Sequence, residues 1–273
     1  MQPKRKRKEA QEREADEVEH SAVPRTPVIY EVVRRHGEEE MNRPGVSLWW
    51  SGVAAGLSIS FSLIAQAILE RYTPDAPWRT LFTSLGYPVG FLMVVLSRQQ
   101  LFTENTITVV LPVMARPTVA NVARLARMWS IVLAANMAGT LVAALLCTFT
   151  PVVSPELLAQ MLEISRLAMA HPWLEMLARA IPAGFLIAAM VWILPSAQSA
   201  QFHVIALMTY LVGVGGFAHI VAGSVEAFLL VAGGELGVWA MISGFTAPAL
   251  LGNVIGGTAL FALLSYAQVM REI

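Results

Sequence analysis

Charge is what this 273-residue sequence has least of. Asp, Glu, Lys and Arg make up 14% of it, against roughly 25% in soluble domains. The charges are also crowded into one end. Residues 1–46 carry ten of the nineteen Lys/Arg and ten of the nineteen Asp/Glu, and no lysine follows Lys8. The 227 residues from Ser47 onward hold the remaining eighteen charges, about 8%, in a chain whose mean hydropathy is +0.58. So apolar a body excludes a water-soluble globule, a disordered chain and a nucleic-acid binder. Cysteine is nearly absent too: Cys147 alone excludes an intrachain disulfide and a cysteine metal cluster. The five histidines, His20, His36, His171, His203 and His219, have no close ligand spacing, so no metal is expected. No nucleophile–base pair or phosphate-binding loop is visible, and no enzyme activity or cofactor is expected. What remains is an all-α integral membrane protein.

Residues 1–46 read as a charged cytoplasmic tail, KRKRK followed by acidic residues. It is too poor in apolar residues to build a core and is expected to be largely disordered, with a short surface helix around Ile29–Arg43. The charged stretch is too long for the n-region of a cleavable signal. Residues 47–270 read as one transmembrane domain.

Crossing the hydrocarbon takes about 20 apolar residues. The apolar stretches are Ser47–Leu69, Leu81–Ala115, Met128–Thr150, Trp173–Leu194, Phe202–Val231 and Val238–Gln268, which gives six units. The second and fifth are too long for one span and too short for two. A polar break, Ser97 to Asn105, interrupts the second; a glycine break, Gly213 to Gly216, interrupts the fifth. Interrupted segments at equivalent places in two three-span halves predict an inverted repeat with broken helices 2 and 5. Backbone freed from helical bonding cannot face lipid, so both breaks point inward. The distribution of arginines, with Arg116, Arg124, Arg127 and Arg271 on the side of the tail, predicts that both termini are cytoplasmic. Gly52, Gly56, Gly139, Gly252 and Gly256 predict close helix contacts.

A charge at membrane depth is costly, by about 2.5–3.5 kcal/mol on insertion scales. Arg98 and Glu104 flank the first break and are expected to form an ion pair pinning the loop. Thr103 can donate and accept a hydrogen bond there. His219 follows the second break directly, where an imidazole can exchange a proton near neutral pH. Glu175 and Arg179, i and i+4, are expected to pair. Glu226 and Asn253 are assigned structural roles, Asn253 by bonding to a neighbouring helix.

Four segments in this order, Pro88-Val89-Gly90-Phe91, Leu101-Phe102-Thr103-Glu104-Asn105, Gly216-Phe217-Ala218-His219 and Leu251 to Gly257, resemble the formate/nitrite transporter family over roughly Ser47 to Gln268. The long tail and the Arg98 to Asn105 variant are similar to a less characterised inner-membrane branch. The resemblance implies an aquaporin-like protomer, a homopentamer with one pore per subunit, and a bacterial inner-membrane location. It implies passage of small monovalent anions or their conjugate weak acids. On that pattern Leu101 and Phe91, with Phe102 in the same loop, form one hydrophobic constriction and Val212 stands at the other. Thr103 and His219 form a polar station between them, near which an entering anion is protonated. The transporting members carry a vestibule lysine; here the region Arg166–His171 has none and Ala168 stands in its place. Two other readings remain open: a neutral small-solute pore, and a membrane scaffold with a vestigial pore. Membrane lipid is the expected surrounding, and no nucleic-acid partner is expected.

Overall fold

A computed structural model describes residues 24–272, and among them every regular element is helical. Helix α1 runs Thr26–Met41 and α2 Gly45–Tyr72, separated by Pro44, which cannot continue α1. Then follow α3 (Arg79–Leu96), α4 (Phe102–Thr108), α5 (Val110–Ala115) and α6 (Val119–Phe149). The remainder is α7 (Pro155–Met169), α8 (Trp173–Ala197), α9 (Gln201–Val214), α10 (Ile220–Ala232) and α11 (Val238–Val269). Residues 242–246 and 255–262 of α11 are wound as π-helix.

Among the described residues, five stretches are long and apolar enough to cross a membrane: α2, α3, α6, Trp173–Val214 and α11. The fourth of these has 42 residues and turns at Gln198–Ala200, where Gln198 has φ +29, so it comprises α8 and α9. Large apolar side chains cover the outer surface, Leu141, Val142, Leu145 and Leu146 on α6 among them. In water such a surface would be an aggregation face; in lipid it needs no partner. Tryptophans stand exposed at helix ends (Trp49, Trp50, Trp78, Trp173 and Trp239), the places where an indole can rest at a membrane interface.

Small residues let the helices approach. A side chain on Gly139 of α6 would meet the Val53 carbonyl at 2.2 Å and the Gly56 Cα at 2.9 Å on α2. One added methyl there forces α2 and α6 apart. A similar contact joins Gly256 of α11 to the Ile181 carbonyl of α8.

Helix α1 is amphipathic, with one face exposed and the other packed against the bundle. Tyr30, Val33, Gly37, Glu40 and Met41 are buried, at spacings that line one helical face. Tyr30 and Val33 join a cluster with Ile107, Val110, Leu111, Ala188, Ala262 and Val269, from α4, α5, α8 and α11. Residues 1–23, the more charged part of the segment read as a disordered tail, lie outside the described residues.

Candidate pore site

The helix starting at Arg79 stops at Leu96, and five residues pass before α4 begins. The other long interruption lies between α9 and α10, at Gly215 to His219. The two breaks share a geometry. Arg98 has φ +53 and Gly216 φ +59, each three residues before a helix N-cap. The N-cap residues, Leu101 at φ −109, ψ 126 and His219 at φ −105, ψ 123, adopt nearly the same extended backbone. Gly216 meets the left-handed turn at no steric cost; Arg98 meets the same demand with a side chain.

Each break leaves backbone groups without helical partners, and one buried asparagine serves each. Asn136 of α6 accepts from the Phe102 amide at 2.9 Å and donates to the carbonyls of Gln100 and Gly52, both at 2.9 Å. Asn253 of α11 accepts from the Ile220 amide at 2.8 Å and donates to the carbonyls of Ala218 (2.9 Å) and Ala180 (2.8 Å). Thus each asparagine joins a half-helix start, the break before it and the facing long helix. The bond expected of Asn253 to a neighbouring helix is present. Asn136 is the residue that sequence reasoning missed: a single amide in an apolar helix gives no signal of its own, and only its correspondence to Asn253 could have found it.

His219 and Thr103 are both buried, and Thr103 Oγ1 lies 2.7 Å from His219 Nε2. The imidazole also caps α10: Nδ1 accepts the Ala222 amide at 3.1 Å. A nitrogen accepting there carries no hydrogen, so in this arrangement the ring is neutral with its proton on Nε2, donated to Thr103. The threonine hydroxyl keeps its own hydrogen for another acceptor. The Phe91 ring stands edge-on to the imidazole, 5.0 Å between centroids at 77°.

A cavity of about 310 Å³ opens at the end of α2 remote from α1 and reaches His219. Its wall includes Gln66, Glu70, Tyr87, Val212, Phe217 and Glu226. Phe91 and Leu101 are buried and lie outside that wall, and the imidazole is part of it. Phe102 packs edge-on against Trp129, 5.6 Å away, within the core. Val212 lies on the cavity wall, which also carries the rings of Tyr87, Phe217 and Phe245.

Arg98 and Glu104 do not form the expected pair: among the described residues no ion pair joins them. The left-handed turn at Arg98 brings its side chain to the surface, while Glu104 lies in the first turn of α4 with Oε1 buried and without a hydrogen-bond partner. The pairing of Glu175 with Arg179 is present at 2.9 Å, and Arg179 also reaches the Gly216 carbonyl at 3.3 Å, tying it to the second break.

A bundle of apolar helices, two of them interrupted around one buried polar contact, defines a membrane channel or transporter. The model of the family described as formate/nitrite transporter matches residues 27–267, and the chain belongs to that family. It is 43% identical over 257 residues to inner membrane protein YfdC of Escherichia coli strain K12, covering 94% of this chain and 83% of the relative. Among solved structures, an FNT family ion channel superposes with TM-score 0.73 at 19% identity, covering 89% of this chain and 98% of the other. A pentameric formate channel with formate bound superposes with TM-score 0.71 at 19% identity, covering 83% and 98%. The chain is thus a multi-pass membrane protein of a transporter family, and enzyme activity is set aside on that ground.

Proposed function

We propose that this protein is a channel for a small monovalent anion or its conjugate weak acid, and that the cargo passes the Thr103–His219 contact. The observation that carries the reading is a cavity whose wall includes a buried imidazole, its Nε2 meeting a threonine hydroxyl at 2.7 Å. Phe91, edge-on to the imidazole, and the buried Leu101 form the apolar constriction in this reading. An ion crossing such a constriction meets a large desolvation cost, whereas a neutral acid of the same size does not. The positive end of the α10 helix dipole lies at this place, which favours a species with anionic character. Protonation of the cargo next to His219 reconciles the two requirements.

The architecture supporting this reading is six spans in two inverted three-span halves. Dividing Trp173–Val214 at Gln198 gives two crossings, α8 and α9, and α10 completes the fifth unit as α4 does the second. The correspondence of Asn136 with Asn253, and of Arg98 with Gly216, supports a common origin of the halves. A three-span unit reverses its direction on repetition, so the halves run oppositely and both termini share one side. The arginine distribution makes that side cytoplasmic. The similarity to inner membrane protein YfdC and to a pentameric formate channel supports an inner-membrane homopentamer with one passage per subunit.

A neutral-solute pore is the second reading, favoured by one observation: among the described residues no lysine or arginine lines the cavity. The deciding experiment is stopped-flow on proteoliposomes with formate, nitrite, acetate and lactate beside glycerol and water. The weak-acid reading predicts fast internal acidification with formate or nitrite and glycerol shrink–swell traces indistinguishable from empty liposomes. Glycerol permeation without weak-acid flux supports the other reading.

A further inference from the structure

One wall of the cavity that leads to His219 is made of hydroxyls with nothing to bind. On α3, Leu81, Phe82 and Leu85 stand exposed, whereas Thr83, Ser84 and Tyr87 are each more than nine-tenths buried and line the cavity. Their spacing, i, i+1 and i+4, gathers them on one side of the helix. Buried hydroxyls are as a rule hydrogen-bonded. Elsewhere in this chain Ser60, Thr140, Ser165 and Thr209 each donate to the carbonyl one turn back. Among the described residues, the hydroxyls of Thr83, Ser84 and Tyr87 have no such partner, and Glu226, on the same wall, accepts from none of them. Nor are their oxygens sealed in protein as those of Tyr30 and Ser196 are. The little surface these residues keep faces the cavity. The wall is also held in place. Ser62 of α2 donates to the Tyr87 carbonyl at 2.5 Å and accepts the Gly90 amide at 3.2 Å. The Tyr87 side chain rests on Gly213 of α9, where an added Cβ would lie 2.9 Å from its own. Its ring packs at 5.2 Å on Phe91, which stands edge-on to the imidazole. One ring thus separates the hydroxyl wall from His219.

We infer that Thr83, Ser84 and Tyr87 form a binding site for the oxygen atoms of the cargo, occupied before the cargo reaches His219. The ligand class is a small carboxylate or oxoanion together with its acid. The hydroxyls donate to the oxygens of the anion, and each can equally accept the O–H of the neutral acid. A site of this kind holds both protonation states, as a passage that changes the charge of its cargo requires. It also needs no cation: fixed hydroxyls replace part of the hydration that the cargo gives up on entering. The inference rests on the channel reading above and adds to it a place where the cargo waits.

The test uses the full chain in proteoliposomes at one fixed pH, with formate as the probe. The initial rate of internal acidification, less that of empty liposomes, is followed against formate concentration, and in the wild type it saturates. Tyr87→Phe keeps the ring on Gly213 and removes only the hydroxyl; Thr83→Val keeps the shape and removes another. Each raises the half-saturating formate concentration by about three- to tenfold, the loss of one hydrogen bond, and leaves the maximal rate within about twofold. Thr83→Ser, which keeps the hydroxyl, saturates as the wild type does. So does Tyr72→Phe, which removes a hydroxyl at an exposed site outside the cavity. Unchanged half-saturation in both Tyr87→Phe and Thr83→Val overturns the inference, as does a loss confined to the maximal rate. A wild-type flux that stays linear in formate also overturns it, because no site then fills. In these cases weak-acid flux persists and the channel reading survives. No weak-acid flux in the wild type overturns both.

Discussion

Thr103 and His219, 116 residues apart in sequence, meet at 2.7 Å in the interior, each at the start of a half-helix. With Nδ1 of the imidazole committed to the α10 cap, Nε2–H donates to Thr103, and the threonine hydroxyl hydrogen is left for another acceptor. This makes the threonine testable apart from the histidine. Thr103→Val keeps the shape and removes the donor; Thr103→Ser keeps the donor and loses a methyl. The expected outcome is weak-acid flux lower by about tenfold in Thr103→Val, the equivalent of one hydrogen bond of 1–1.5 kcal/mol. Flux in Thr103→Ser is expected within about twofold of wild type in the same liposome assay.

The asparagines that hold the breaks predict stability effects of a larger size. Replacing Asn253 by Ala leaves the Ile220 amide and the carbonyls of Ala180 and Ala218 without this partner. Each buried backbone group left unsatisfied costs about 1–3 kcal/mol. Thermal unfolding in detergent, followed by tryptophan fluorescence, should show large drops of comparable size for Asn253→Ala and Asn136→Ala. Thr140→Val, which removes only a hydroxyl bond within α6, should shift the midpoint far less.

Arg98 predicts a gain. It occupies a left-handed turn at φ +53 and has no ion-pair partner among the described residues. A non-glycine residue there costs roughly 1–2 kcal/mol. Arg98→Gly should therefore unfold at the wild-type temperature or above it, by up to about 1 kcal/mol of stability. A pair with Glu104 predicts the opposite sign, so the melting curve of this variant distinguishes the two arrangements.

Helix α1 predicts a steric effect and a pH effect. A Cβ on Gly37 would lie 1.8 Å from the Thr108 carbonyl, a backbone atom that cannot swing aside. Gly37→Leu should undock α1, seen as faster hydrogen exchange over residues 26–41 with the spans unaffected. Glu31 is held down to about 2 by its hydrogen bond to Arg34, against an ordinary 4.5. A carboxyl depressed in the folded state stabilises fully above its unfolded value and loses that contribution as pH falls towards the folded one. Exchange protection of α1 should thus weaken between about pH 4.5 and 2, modestly because the pair is partly solvated. Glu31→Gln should flatten that dependence.

Much of this architecture was legible in the sequence because the bilayer enforces it. A chain with so few charges after Ser47 has to cross lipid, and the two apolar stretches of awkward length had to break where polar or glycine residues allowed. The pairing of Glu175 with Arg179 was readable because an α-helix brings i and i+4 together. Arg98 and Glu104 are six residues apart across a turn, and no sequence rule gave the direction in which Arg98 leaves it. The docking of α1 was written in the spacing of Tyr30, Val33, Gly37 and Met41 but hidden by the charges between them. Glu226 could be placed on the His219 face by counting; that its carboxyl lies on a cavity wall shared with α2, α3, α7 and α11 emerges only from the fold.

His219→Asn in proteoliposomes decides whether transport depends on the imidazole. Asparagine is a good helix N-cap, so α10 should keep its start and the protein its melting temperature, while the proton-exchanging imidazole is gone. The account predicts a folded, reconstituted channel whose formate-driven acidification is slower by about tenfold or more and whose remaining flux has lost its wild-type pH dependence. Wild-type flux with wild-type pH dependence in that variant would contradict it.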